Sequence, residues 1–199
     1  MKYKEDTEKG CFRNVSIIRF RRKRNIALLW FVLVFILSLL QQIYASVSLF
    51  FIIPVVLIAV PSYYLRPLPL GISFSELLLG VVWCALLVLP FILIKFFVME
   101  GTFHYSNHSI NILLQLLLNA FAEELFFRGY LQESLGNRPS TVVIVSVLFA
   151  LCHSGRFLVS GDIMALLTFF PSLIMGWLYH KTSNVLPGTI FHFTANMTL

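Results

Sequence analysis

Two adjacent glutamates and an arginine, Glu123, Glu124 and Arg128, stand inside the apolar stretch NAFAEELFFRGYL, residues 119–131. An ionised carboxylate among apolar side chains is costly unless it is paired or hydrated. Glu124 and Arg128 are four residues apart, which puts them on one helical face within pairing distance. Glu123 points about 100° away from Glu124. One glutamate is thus available to the arginine and the other to a cavity. The pair can serve only to fix helix packing, or it can hold a second carboxylate ready for chemistry. Two further stretches supply partners. LFALCHS places Phe149 four residues before His153, and IFHFTANM places His192 four residues before Asn196. A glutamate can take a proton from water, an imidazole can orient that water, and a histidine with an asparagine can donate to an oxyanion. Two histidines and a carboxylate are also a familiar zinc set, so Glu123, His153 and His192 are possible metal ligands. No HExxH motif is present. The sequence permits a metal without requiring one.

The elements that carry these residues are apolar. Of 199 residues, 58% are hydrophobic, 12% are charged and 20 are phenylalanine, and mean hydropathy is +0.85. A chain of this size cannot bury so much apolar surface in water alone, so part of its solvent is lipid. Apolar stretches fall near 26–44, 47–64, 75–98, 110–132, 140–154, 163–180 and 185–199. Because only helices satisfy their own backbone in lipid at these lengths, the expected fold is all-α, a polytopic membrane bundle of about seven helices. Cys11, Cys84 and Cys152 are too scattered to suggest a disulfide framework.

Charge sets the orientation. Residues 1–25 carry nine Lys/Arg against three Asp/Glu, and the remainder carries six of each, so the net +6 lies entirely in the first segment. RFRRKRN, residues 19–25, abuts the first apolar stretch. This juxtamembrane cluster is attracted by anionic headgroups and predicts a cytoplasmic N-terminus. No aromatic or repeated basic pattern accompanies it, which argues against nucleic acid as a partner. The expected organisation is a basic cytoplasmic segment, 1–25, followed by a membrane bundle, 26–199. Seven crossings would place Arg66/Pro67, Gly136–Pro139 and Lys181–Asn184 inside, with Glu100–His108, Ser154–Asp162 and the C-terminus outside.

The three polar stretches resemble the motifs of the CPBP family of intramembrane proteases, which includes CAAX prenyl endopeptidases and bacteriocin-processing or self-immunity relatives. EExxxR corresponds to Glu123–Arg128 and runs on into Gly129, FxxxH to Phe149–His153, and HxxxN to His192–Asn196. The resemblance covers about residues 108–199. It implies that Glu123 is the general base, that His153 helps hold the attacking water, and that His192 and Asn196 form an oxyanion hole. It also implies that Glu124, Arg128 and Phe149 support the site. Family members are commonly labelled metalloproteases; the mechanism favoured here uses glutamate-activated water with no obligatory zinc.

The resulting expectation is a multi-pass cell-membrane endopeptidase. It would cut a peptide or membrane-anchored protein, in CAAX-type processing or in bacteriocin maturation or immunity. Membrane lipids would be its other partners. The alternative is a non-catalytic immunity or scaffold protein that binds a peptide partner in the same groove. A small transporter fits less well, since no internal repeat accompanies the compact polar set.

Overall fold

A computed structural model describes the backbone of residues 2–90, 93 and 110–198, and side-chain surroundings within 23–90, 93 and 116–197. The expected loop Glu100–His108 lies outside the described residues. All regular structure among the described residues is helical: α1 (Lys2–Tyr44), α2 (Val47–Tyr64), α3 (Phe74–Trp83), α4 (Ile110–Glu124), α5 (Pro139–Ser160), α6 (Met164–Leu167), α7 (Phe169–Thr182) and α8 (Leu186–Thr198). Helices α3 and α4 run on as wider π-helical turns, Cys84–Val88 and Leu125–Gln132 respectively.

Local chemistry explains several boundaries. Ser46 caps α2 by accepting from the Leu49 amide, and Pro139 opens α5 where no helical N–H is needed. Gly161 ends α5 in the left-handed region at φ 72°, a conformation that is cheap only for glycine. The Asn184 side chain accepts from the Leu186 amide and so starts α8.

The expectation of about seven membrane helices is corrected by the helix lengths. Among the described residues, three helices are long and apolar enough to cross a membrane: Lys23–Tyr44, Val47–Tyr64 and Pro139–Ser160. A perpendicular crossing takes about 20 residues. The stretch 163–180 breaks into α6 and the start of α7, 185–199 yields the 13-residue α8, and the described part of 75–98 yields the short apolar helix Phe74–Val88. The stretch 110–132 carries its charges within a helix whose last eight residues, Leu125–Gln132, are all buried in protein. Hydropathy alone does not distinguish a core helix from a spanning one. The three long helices turn large apolar side chains outward, among them Leu29, Val32 and Ile36 on α1, Phe51 and Val55 on α2, and Val143, Ile144 and Val147 on α5. Apolar exposure on this scale marks a lipid-facing surface. Helix α1 runs unbroken from Lys2 to Tyr44.

The inner layer is α8, packed by α3, α4 and α7, with α5 against α1 and α7. Phe126, Phe127, Leu131, Phe149, Met175, Leu178 and Phe191 form the core beside it. At one end of the bundle, Lys23, Tyr64, Leu65, Glu133 and Ser134 line a common cavity of about 230 Å³. The Val185 amide donates to the Pro69 carbonyl, which ties the start of α8 to the segment after α2.

Candidate active site

The charged cluster sits where α4 passes into its π-helical turn. Wide turns of this kind recur at functional sites because they displace one residue from regular register. Glu124 and Arg128 are fully buried, with Arg128 Nη1 2.9 Å from Glu124 Oε1. This contact is an ion pair without hydrogen-bond alignment. Arg128 Nη2 donates to Ser172 Oγ at 2.8 Å and to the Ser172 carbonyl at 3.3 Å. The guanidinium also lies 4.7 Å from the Phe149 ring centroid, within cation–π range.

Glu123 has a different environment. A quarter of its side chain is exposed, whereas Glu124 has none. The one-residue offset rotates neighbouring carboxylates to different faces: Glu124 is sealed in the core, while the Glu123 side chain is partly exposed and its Oε2 is buried without a hydrogen-bond partner among the described residues.

His192 on α8 stands between the two glutamates. Its Nδ1 lies 3.0 Å from Glu124 Oε1 and its Nε2 lies 3.7 Å from Glu123 Oε2. Phe149 touches both histidines, with ring centroids 4.5 Å from His153 and 5.7 Å from His192. His153 Nδ1 is 2.9 Å from the Phe149 carbonyl. A carbonyl only accepts, so Nδ1 is the N–H donor of this contact.

Glu123, Glu124, Arg128, Phe149 and His192 therefore meet directly, and His153 joins through Phe149. Asn196, one turn beyond His192, is exposed among the described residues. The possible zinc ligands Glu123, His153 and His192 do not fit a metal site in this arrangement. No group of three or more His, Cys, Asp or Glu among the described residues has metal-holding geometry, and His153 reaches the cluster only through Phe149.

Several supporting residues escaped the sequence reading. Ser172 holds Arg128, and Gln132 donates to the Gly176 carbonyl at 3.0 Å and to Asn137 at 2.8 Å. Ser172 and Gly176 form a small-xxx-small pattern, a signal of close helix packing that would have found them. Asn184 donates to Glu76 at 2.7 Å and to the Gly71 carbonyl, fixing the start of the helix that bears His192. No local pattern in the sequence announces that last contact.

Comparison with known proteins covers part of the chain. A family model described as type II CAAX prenyl endopeptidase Rce1-like matches residues 105–198, just under half of the sequence. The match includes every residue of the cluster from Glu123 to Asn196. Among curated proteins the chain is similar to the UPF0177 protein YxdF of Lactococcus lactis subsp. lactis (strain IL1403), at 37% identity over 76 residues. That alignment covers 38% of this chain and 40% of the relative. No solved structure matches.

Proposed function

We propose that this protein is a membrane-embedded endopeptidase that hydrolyses a peptide bond with water activated by Glu123. The observation that carries the reading is the contrast between the two glutamates: Glu124 is sealed against Arg128, while the partly exposed Glu123 turns a buried, unpartnered Oε2 toward His192. A water about 2.8 Å from both Glu123 Oε2 and His192 Nε2 would have a proton acceptor and a second hydrogen-bond partner. His153 offers a further nitrogen for ordering that water, and the exposed Asn196 amide is the donor for the oxyanion. The Rce1-like match supports the class of reaction. The substrate is a peptide or membrane-anchored protein reaching the site within the membrane, of CAAX type or a bacteriocin or leader peptide. The protein is a multi-pass cell-membrane protein with its basic N-terminal segment in the cytoplasm, where anionic lipids hold it.

The test is cleavage by purified protein in liposomes, with prenylated CAAX peptides and leader-type peptides offered in parallel. Mass spectrometry would show new termini with wild type and none with Glu123→Gln. A peptide bound tightly by both and cut by neither would point instead to an immunity or scaffold protein.

A further inference from the structure

The resemblance casts His192 as a hydrogen-bond donor to the oxyanion. The geometry around its ring points to a different chemistry, which rests on the endopeptidase reading. Arg128 is fully buried, and a guanidinium keeps its charge in proteins. Its ion-pair partner Glu124 is accordingly a carboxylate, which only accepts hydrogen bonds. His192 Nδ1, 3.0 Å from that carboxylate, must therefore be the N–H donor. In the neutral ring this leaves Nε2 without a proton, and Nε2 is the nitrogen turned toward Glu123 Oε2 at 3.7 Å. A neutral His192 thus has no hydrogen at Nε2 to give an oxyanion.

We infer that His192 is the proton carrier of the site, accepting at Nε2, and that Glu124 is the positioning residue that fixes this tautomer. The separation of 3.7 Å exceeds a hydrogen bond and is bridged by one water or a small side-chain shift. In the addition step, water oxygen bonds to the carbonyl carbon, the C=O π pair moves to oxygen, and one water proton goes to Glu123. That proton passes to His192 Nε2, giving an imidazolium held by Glu124. On collapse the oxygen pair re-forms the C=O bond, the C–N bond breaks, and the amine nitrogen takes the proton from Nε2. The second water proton leaves with the product carboxylic acid. Arg128 and Ser172 act further out, holding Glu124 in place.

The test begins with wild-type full-length protein in nanodiscs with ¹⁵N-labelled histidine, the His192 signals being assigned by their loss in His192→Gln. At neutral pH the resting protein is expected to show a protonated Nδ1 and a bare Nε2. A proton on Nε2 with a bare Nδ1, or protons on both, would overturn the inference. This readout needs neither a substrate nor a variant at Glu124. The kinetic arm uses His192→Gln, whose amide restores an N–H donor near the Nε2 position but cannot carry a proton. A loss in kcat of about 10²–10⁴-fold with little change in KM is expected. Activity within about tenfold of wild type would return His192 to the donor role. If wild type cleaves no peptide, the endopeptidase reading fails, and the histidine spectrum still decides the tautomer.

Discussion

Arg128 and Ser172, 44 residues apart in sequence, are joined by a buried hydrogen bond of 2.8 Å, and one turn further Gln132 and the Gly176 carbonyl repeat the same offset at 3.0 Å. A constant offset means that the Leu125–Gln132 turn and α7 run parallel in fixed register. Each polar rung satisfies a group that would otherwise be stranded in the core.

Removing a rung should be measurable. Ser172→Ala deletes an acceptor from a buried guanidinium, and hydrogen bonds to charged groups contribute about 1.5–3 kcal/mol. Gly176→Val places its Cβ 2.9 Å from Val142 Cγ1 and 3.2 Å from Gln132 Oε1, so overpacking adds to a disturbed rung. Unfolding in mixed micelles should rank wild type above both variants. Equal midpoints for wild type and Ser172→Ala would mean that the rung contributes nothing.

The approach of α3 to α8 depends on Gly80. A Cβ there would stand 2.7 Å from the Pro187 carbonyl oxygen and 3.0 Å from Pro187 Cα. Backbone cannot rotate aside as a side chain can, so Gly80→Ala must separate the helices, with a cost of about 1–3 kcal/mol. Gly188→Ala is the contrasting case, because its Cβ would meet Glu124 Oε2 at 2.8 Å. It should disturb the carboxylate that both Arg128 and His192 contact, so activity and thermal stability should fall together. Gly80→Ala with an unchanged melting temperature would refute the close-approach argument.

The Glu124–Arg128 pair was legible in the sequence because i,i+4 spacing is a property of one helix. The different exposure of Glu123 follows from the same rotation. The placement of His192 between both carboxylates was not legible. It depends on how α8 lies against α4, which is set by contacts distant in sequence such as Asn184 with Glu76 and Gly188 with Glu124. The helix count failed for a related reason. An apolar run such as 163–180 reads alike whether it crosses lipid or lines a core, and the break between α6 and α7 lies within it.

Orientation can be tested on the α1–α2 hairpin. The connection between Tyr44 and Val47 is so short that the two helices run antiparallel, bringing Lys23 and Tyr64 to one cavity. In a cysteine-free background, Lys23→Cys and Arg66→Cys should label from the cytoplasmic side only, and Ser48→Cys from the opposite side. Labelling of Lys23→Cys by an impermeant reagent in intact cells would reverse the orientation.

Chelation separates the zinc alternative from activated water. No group of three or more His, Cys, Asp or Glu among the described residues is arranged to hold a metal, and Glu123 meets only one of the two candidate histidines directly. A strong chelator followed by desalting should therefore leave cleavage by purified protein unchanged. Loss of activity restored by stoichiometric zinc would require the histidines to rearrange around a metal.

The two glutamates should separate stability from turnover. Glu124→Gln leaves Arg128 fully buried without a counter-charge, and breaking one side of a buried pair costs about 3–5 kcal/mol. Its folded yield and unfolding midpoint should drop sharply. Glu123 is a quarter exposed and lies 3.7 Å from His192 without a direct hydrogen bond, so Glu123→Gln should fold as wild type does. An amide cannot accept the proton of attacking water, so turnover should fall by about 10²–10⁴-fold while peptide binding persists. The comparison needs both proteins purified in one detergent, their unfolding followed side by side, and their cleavage measured at equal folded concentration. Should Glu123→Gln cut at the wild-type rate, Glu123 would not be the base, whatever Glu124→Gln does.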